Sequence, residues 1–191
     1  MLRRSLPATL ALAALLAACK GPAVPHPMTN ATRYLCCNLH YEKPEVSDAN
    51  YLKGTLIPFG TRVHVLEVRK NTVKFQAEGH PPITLVLKYG KDAIGMDQYL
   101  ELIFLREDPH AKLPKPGKDK KQAAAAEHIR KLIEEGTVEP GMTKDEVVMA
   151  LGYPPVHRTP SLSASMWTYW ANRWATFEVY FDGDKVSRVQ R

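Results

Sequence analysis

Residues 138–155 read VEPGMTKDEVVMALGYPP, and this stretch decides the fold of the C-terminal part of the chain. Thr143 and Glu146 have capping-box spacing. The hydroxyl accepts from the Glu146 backbone N–H, and the carboxylate returns to the Thr143 N–H. Met142, just before the cap, is placed to pack on Val147 as a hydrophobic staple. Val147, Ala150 and Leu151 share the inner face of the helix that follows. Gly152 suits a left-handed cap, and Pro154 and Pro155 prevent continuation. A short helix is predicted between two firm boundaries.

Upstream, QAAAAEHIRKLIEEG has alanine-rich helix propensity and sets Ala125, Ile129, Leu132 and Ile133 on one face. Gly136 is its stop. Downstream, SMWTYW alternates Met166, Thr168 and Trp170 against Trp167 and Tyr169. ATFEVYF alternates Phe177, Val179 and Phe181 against Thr176, Glu178 and Tyr180. Asp182-Gly183 signals a tight hairpin, and KVSRVQ returns. Two helices followed by three strands predict a two-layer α+β unit over residues 122–191.

Gly141-Met142-Thr143, the acidic and apolar continuation through Val147, and Leu151-Gly152-x-Pro154 resemble the SmpA/OmlA (BamE-like) family. The WTYW strand and the FEVYFDGDKV hairpin match as well, and the resemblance covers roughly residues 136–191. It implies a small, non-enzymatic outer-membrane lipoprotein with a protein-binding role in outer-membrane protein assembly or envelope integrity.

The N-terminus agrees with that expectation. Arg3 and Arg4 precede an apolar run from Leu6 to Ala18, the pattern of a secretory signal. The run is too short to span a membrane, which takes about 20 apolar residues. Leu16-Ala17-Ala18-Cys19 resembles a bacterial lipobox. The resemblance implies cleavage after residue 18 and lipid on Cys19, with the outer membrane as partner. Lys20 lacks the Asp that resembles an inner-membrane retention signal, so the expected place is the periplasmic face of the outer membrane. Loss of residues 1–18 removes two arginines, so the formal charge falls from +6 to +4. That charge is no nucleic-acid footprint. It would suit weak attraction to anionic headgroups.

Residues 19–33, rich in proline, read as the lipidated cysteine and a stiff tether. Residues 34–107 read as a β-rich domain. Val63 and Val65, extended by Leu66 and Val68, give an alternating run, Val73 and Phe75 alternate in the next strand, and Ile83, Leu85 and Leu87 share a face. The glycines around LIPFG resemble small Src-homology-3-like β barrels, so a small antiparallel sheet or barrel is expected. Asp97 reads as the cap of a helix with Tyr99, Leu100, Ile103 and Phe104 on one face. Residues 108–121, with three prolines and five lysines, read as a solvated linker, and nothing in them requires a fixed orientation of the halves.

Candidate chemistry is sparse. The seven histidines include none in a motif with a Ser or Cys nucleophile, and no zinc-protease or phosphate-loop motif occurs. No enzyme, cofactor or metal is expected. Cys36, Cys37 and His40 could form a partial metal site or a thiol nucleophile, but a fourth ligand is missing. The simpler reading makes RYLCCNLHY a strand with one cysteine facing the core. Trp167, Tyr169, Trp170 and Trp174 crowd one short segment. Neighbours on a strand point to opposite faces, so one set packs on the helices and the other faces outward. Trp167 with Tyr169, or alternatively Trp170, is the expected docking surface for a periplasmic or outer-membrane protein. Recognition of peptidoglycan or lipid by the N-terminal sheet is the alternative.

A Cys19→Ala variant is expected to lose metabolic labelling with palmitate and its enrichment in outer-membrane fractions. Full retention of both would overturn the anchor.

Overall fold

The computed structural model describes residues 25–191, so Cys19 and the signal run lie outside the described residues. The N-terminal half contains β1 (Thr32–Leu35), β2 (Leu39–Tyr41), β3 (Glu45–Ser47), β4 (Thr55–Ile57), β5 (Arg62–Arg69), β6 (Thr72–Ala77), β7 (Pro82–Val86), α1 (Met96–Ile103) and β8 (Phe104–Leu105). The strand order β3-β7-β6-β5-β1-β8 makes one six-stranded sheet, and β2 pairs with β4 apart from it. The alternation read from the sequence holds: Val63, Val65, Val73, Phe75, Ile83, Leu85 and Leu87 are all buried. α1 covers them with Leu100 and Ile103.

The α+β class is as expected, but no barrel closes. The sheet ends in two short edges, β3 and β8, and β3 joins β7 in parallel while every other pairing is antiparallel. Asp48 explains that unusual neighbour. Its buried carboxylate accepts from the backbone N–H groups of Lys88, Tyr89 and Gly90 at 3.0, 3.0 and 2.6 Å, which clamps the end of β3 to the end of β7. Asp97 is not the cap of α1. Gly95 holds that position, and Asp97 pairs with His26 at 2.9 Å from the first turn. Met28 is buried in the same core, so the fold begins inside the expected tether, before residue 34.

The expected strand through the cysteine pair breaks at Leu35. Cys36 and Cys37 are joined in a disulfide, and both side chains are buried, where only one was expected to face the core. The linker also departs from expectation. Pro109–Lys112 forms a turn of 3-10 helix with Pro109 buried.

The C-terminal half contains α2 (Lys120–Glu135), α3 (Lys144–Leu151), β9 (Met166–Asn172), β10 (Ala175–Asp182) and β11 (Lys185–Gln190), with sheet order β11-β10-β9. The capping box forms on both sides, Thr143 with Glu146. Met142 and Val147 are fully buried in one cluster, as a staple requires. Gly136 ends α2 in the left-handed region at φ 65°. The buried face of α2 carries Ala126, not Ala125, beside Leu132 and Ile133. Leu132 and Ile133 are buried and Ile129 packs on the same core, as read, so Ala126 in place of Ala125 is the difference.

The two halves are joined, and the joint is polar. α3 ends with four backbone carbonyls that have no partner within the helix. Val148 O accepts from Gly152 N at 2.8 Å. Met149 O accepts from Asn38 N at 3.0 Å. Ala150 O accepts from Asn38 Nδ2 at 3.0 Å, and Leu151 O from Asn50 Nδ2 at 2.9 Å. Asn38 Nδ2 also donates to Ile133 O of α2 at 2.6 Å, and its Oδ1 accepts from Phe59 N at 2.6 Å. One asparagine of the N-terminal half thus caps the C-termini of both helices of the other half. Gly152 is required beside it. Its φ is +83°, and a Cβ there would sit 2.9 Å from Asn50 Nδ2. Apolar side chains cross the same line: Phe59 and Leu52 pack in the C-terminal core, Val148 and Tyr153 against the N-terminal one.

Asn38→Leu is expected to strand two helix carbonyls and the Phe59 N–H. Its cost should reach about 3 kcal/mol, since each buried unpaired group costs about 1–3 kcal/mol. Urea unfolding would measure it. A loss under about 1 kcal/mol would show that the joint carries little of the stability.

Candidate functional site

The four aromatic residues singled out in the sequence divide between two faces, as the strand period demands. Trp167 and Tyr169 point inward and are 1% and 2% exposed. Trp167 packs on Phe181 at 4.7 Å, and Tyr169 stacks on Phe177 at 5.8 Å. The Tyr169 hydroxyl donates to Gly152 O at 3.0 Å, and burial pushes its pKa well above the ordinary value. They cannot be the expected docking surface, because both are buried in the core that this sheet shares with α2 and α3.

Trp170 and Trp174 lie elsewhere. Trp174 stands at the tip of the β9–β10 hairpin and is 86% exposed. Trp170, on the outer face of β9, is half-buried under groups from both halves. Tyr51 meets it edge-on at 6.0 Å, and His157 stacks at 6.4 Å. The Arg158 guanidinium lies 5.2 Å from its ring centre. Tyr89 stacks on His157 from the other side at 4.8 Å. The Tyr51 and Tyr89 hydroxyls meet at 3.0 Å, and burial together with that contact pushes Tyr51 up to about 12. Leu52 N donates to Trp170 O at 3.1 Å and fixes the register of this seam.

The local sequence explains each placement. Trp170 faces outward because Trp167 and Tyr169 face inward. Tyr51 follows Asn50, which is held at φ 41° by its bonds to His40 N, Asn38 O and Leu151 O. Tyr89 is held by its backbone bond to Asp48. His157 and Arg158 sit on the proline-rich loop after α3, which Thr159 pins by accepting from Thr168 N at 3.0 Å. Sequence reading found Trp170 and Trp174 but missed Tyr51, Tyr89, His157 and Arg158. They come from three separate segments, and no spacing links them.

A pocket of about 440 Å³ opens beside the seam, lined by His40, Tyr51, Lys88, Tyr89, Arg173 and Trp174 among others. Two of the lining residues hold polar atoms that are shut off from it: both ring nitrogens of His40 and the Ser47 Oγ are buried without a hydrogen-bond partner. Desolvation lowers the His40 pKa. For His157 desolvation comes first and the Arg158 charge second, and both lower it.

The cysteine pair separates two other cavities. Cys37 lines an apolar cleft of about 120 Å³ between the halves, and Cys36 a cavity of about 550 Å³ on its other side. As a disulfide, the pair offers no thiolate to a metal or a substrate. His40 makes no contact that would turn it into a general base for either sulfur, since its ring nitrogens have no partner. Among the described residues, no group of three or more His, Cys, Asp or Glu side chains is placed to hold a metal ion.

The chain matches no protein-family model, no curated protein and no solved structure.

The histidine shifts set a pH dependence. A histidine whose pKa is lowered by folding binds more protons in the unfolded chain. Stability is therefore full above the ordinary value of 6.5 and is lost as pH falls below it. Urea midpoints are expected to fall between neutral pH and about pH 5, and His40→Gln should flatten that slope. An unchanged slope would place the titrating group elsewhere.

Proposed function

We propose that this protein is a non-enzymatic outer-membrane lipoprotein. Lipid on Cys19 holds it to the periplasmic face, and it serves as an envelope accessory or scaffold by binding another protein. The SmpA/OmlA resemblance of the C-terminal unit and the lipobox-like run support this reading. One structural observation carries it. The large hydrophobic side chains exposed among the described residues are Leu162, Met166 and Trp174, at 45%, 36% and 86%. All three fall within one short segment of the C-terminal unit. Met166 opens β9 and Trp174 stands at the hairpin beyond its other end, so the two flank the outer face on which Trp170 lies. Apolar and aromatic groups bordering one face mark an interaction site better than scattered ones do.

The chemistry of that segment fits a protein partner. Exposed Trp with Arg173 beside it, at 5.9 Å from the Trp174 ring, is the residue pairing that dominates interface energetics. Tyr180 and Arg188 extend the outer face across β10 and β11, with the guanidinium 3.9 Å from the ring centre. The seam and the pocket beside it present aromatic and cationic groups to solvent, which suits contact with another protein.

Purification of tagged protein from detergent-solubilised envelopes tests the reading. A specific set of envelope proteins is expected to co-purify with the wild type. Trp174→Ala combined with Met166→Ala should reduce that set about tenfold, the scale of a hot-spot loss, and leave the thermal midpoint unchanged. Recovery equal to wild type would remove this surface from the proposal.

A further inference from the structure

The pocket beside the aromatic seam has a charge and a shape that the exposed apolar segment does not explain. Its lining carries four cations, Lys43, Lys53, Lys88 and Arg173, and two carboxylates, Glu42 and Glu45. One of the carboxylates is already used, because Glu42 pairs with Lys53 at 3.3 Å. Among the described residues Lys43, Lys88 and Arg173 have no carboxylate within 4.0 Å, the limit for an ion pair. Lys88 Nζ instead lies 5.1 Å from the Tyr89 ring centre, and Arg173 lies over Trp174. Cations that rest on aromatic faces keep their N–H donors free for a second partner. Arg158, over Trp170, adds a further charge to the seam just behind.

Concavity, aromatic walls and unpaired cations together describe a receptor for a negatively charged segment. We infer that this pocket binds an acidic, extended segment of a partner polypeptide. Tyr51, Tyr89 and Trp174 receive its apolar parts, and Lys43, Lys88 and Arg173 receive its carboxylates. The inference rests on the reading of the protein as a protein-binding envelope component and supplies the chemistry of the partner. Two observations favour a polypeptide. Arg, Tyr and Trp are the residues most enriched where proteins bind proteins, and acidic motifs are commonly read by clustered cations. The pocket also joins the exposed segment through Trp174, so one partner can span both.

The test uses the purified full-length protein in neutral detergent and three fluorescent probes: an oligoglutamate peptide with interspersed tyrosines, its glutamine counterpart, and an oligogalacturonate. The acidic peptide is expected to bind, and to weaken about tenfold from low to physiological salt, as an association between exposed charges does. Arg173→Glu and Lys88→Glu should each weaken it about tenfold, equivalent to about 1.4 kcal/mol. Lys185→Glu, on β11 and away from the pocket, should leave it within about twofold. Equal binding of the glutamine peptide would overturn the role of charge. Equal or tighter binding of the oligogalacturonate would overturn the polypeptide assignment in favour of an acidic glycan. Should no probe bind while the Trp174/Met166 double variant still loses its envelope partners, the acidic-segment inference fails and the protein-binding function stands.

Discussion

The polar joint between the halves centres on Asn38. A helix of α3's length cannot satisfy its own last carbonyls, and α3 points that end at the N-terminal half. Asn38 and Asn50 supply the missing donors, while Asn38 also takes a carbonyl from α2 and a backbone N–H from Phe59. The primary amide is the smallest side chain that donates twice and accepts at once. Its burial is favourable only while every partner is in place, because a half-satisfied buried amide costs more than an apolar replacement. The halves are therefore locked in one orientation by a network in which the partners come from residues about a hundred positions apart in the chain.

That orientation creates the seam. Trp170 alone would be one outward aromatic on a small sheet. With the halves locked, Tyr51 and Tyr89 from one side and His157 and Arg158 from the other close around it. The hairpin tip with Trp174 stays open, and Arg173 turns toward the pocket that Lys88 and Tyr89 also line. The same arrangement desolvates His40 beside the joint, which lowers its pKa. Structure and candidate function are coupled at this line: a change that loosens the joint also dismantles the surface.

Local signals were legible wherever their partners lie close in sequence. The capping box at Thr143 and Glu146, the stop at Gly136, the hairpin at Asp182-Gly183 and the alternation of β5, β6, β7, β9 and β10 all stand as read. Readings that needed a distant partner failed in recognisable ways. Asp97 had the chemistry of a cap, but His26 claims it. The glycines around LIPFG resemble those of small barrels, yet the Asp48 clamp brings β3 to β7 and the sheet is open. The cysteine pair read as part of a strand, whereas its disulfide sits at a bend between β1 and β2.

The sequence by itself determined the two-layer α+β unit, its helix boundaries and the two-faced division of the aromatic strand. Those follow from periods of two and of about 3.6 residues and from caps a few residues long. Only the tertiary structure decided which aromatic face is the core, which residues join Trp170, and that the lysine-rich connector links halves already fastened together. Periodicity says that Trp167 and Trp170 oppose each other, but not which one the helices cover. That choice is made where α2 and α3 dock, and Asn38, remote in sequence, fastens the end of both.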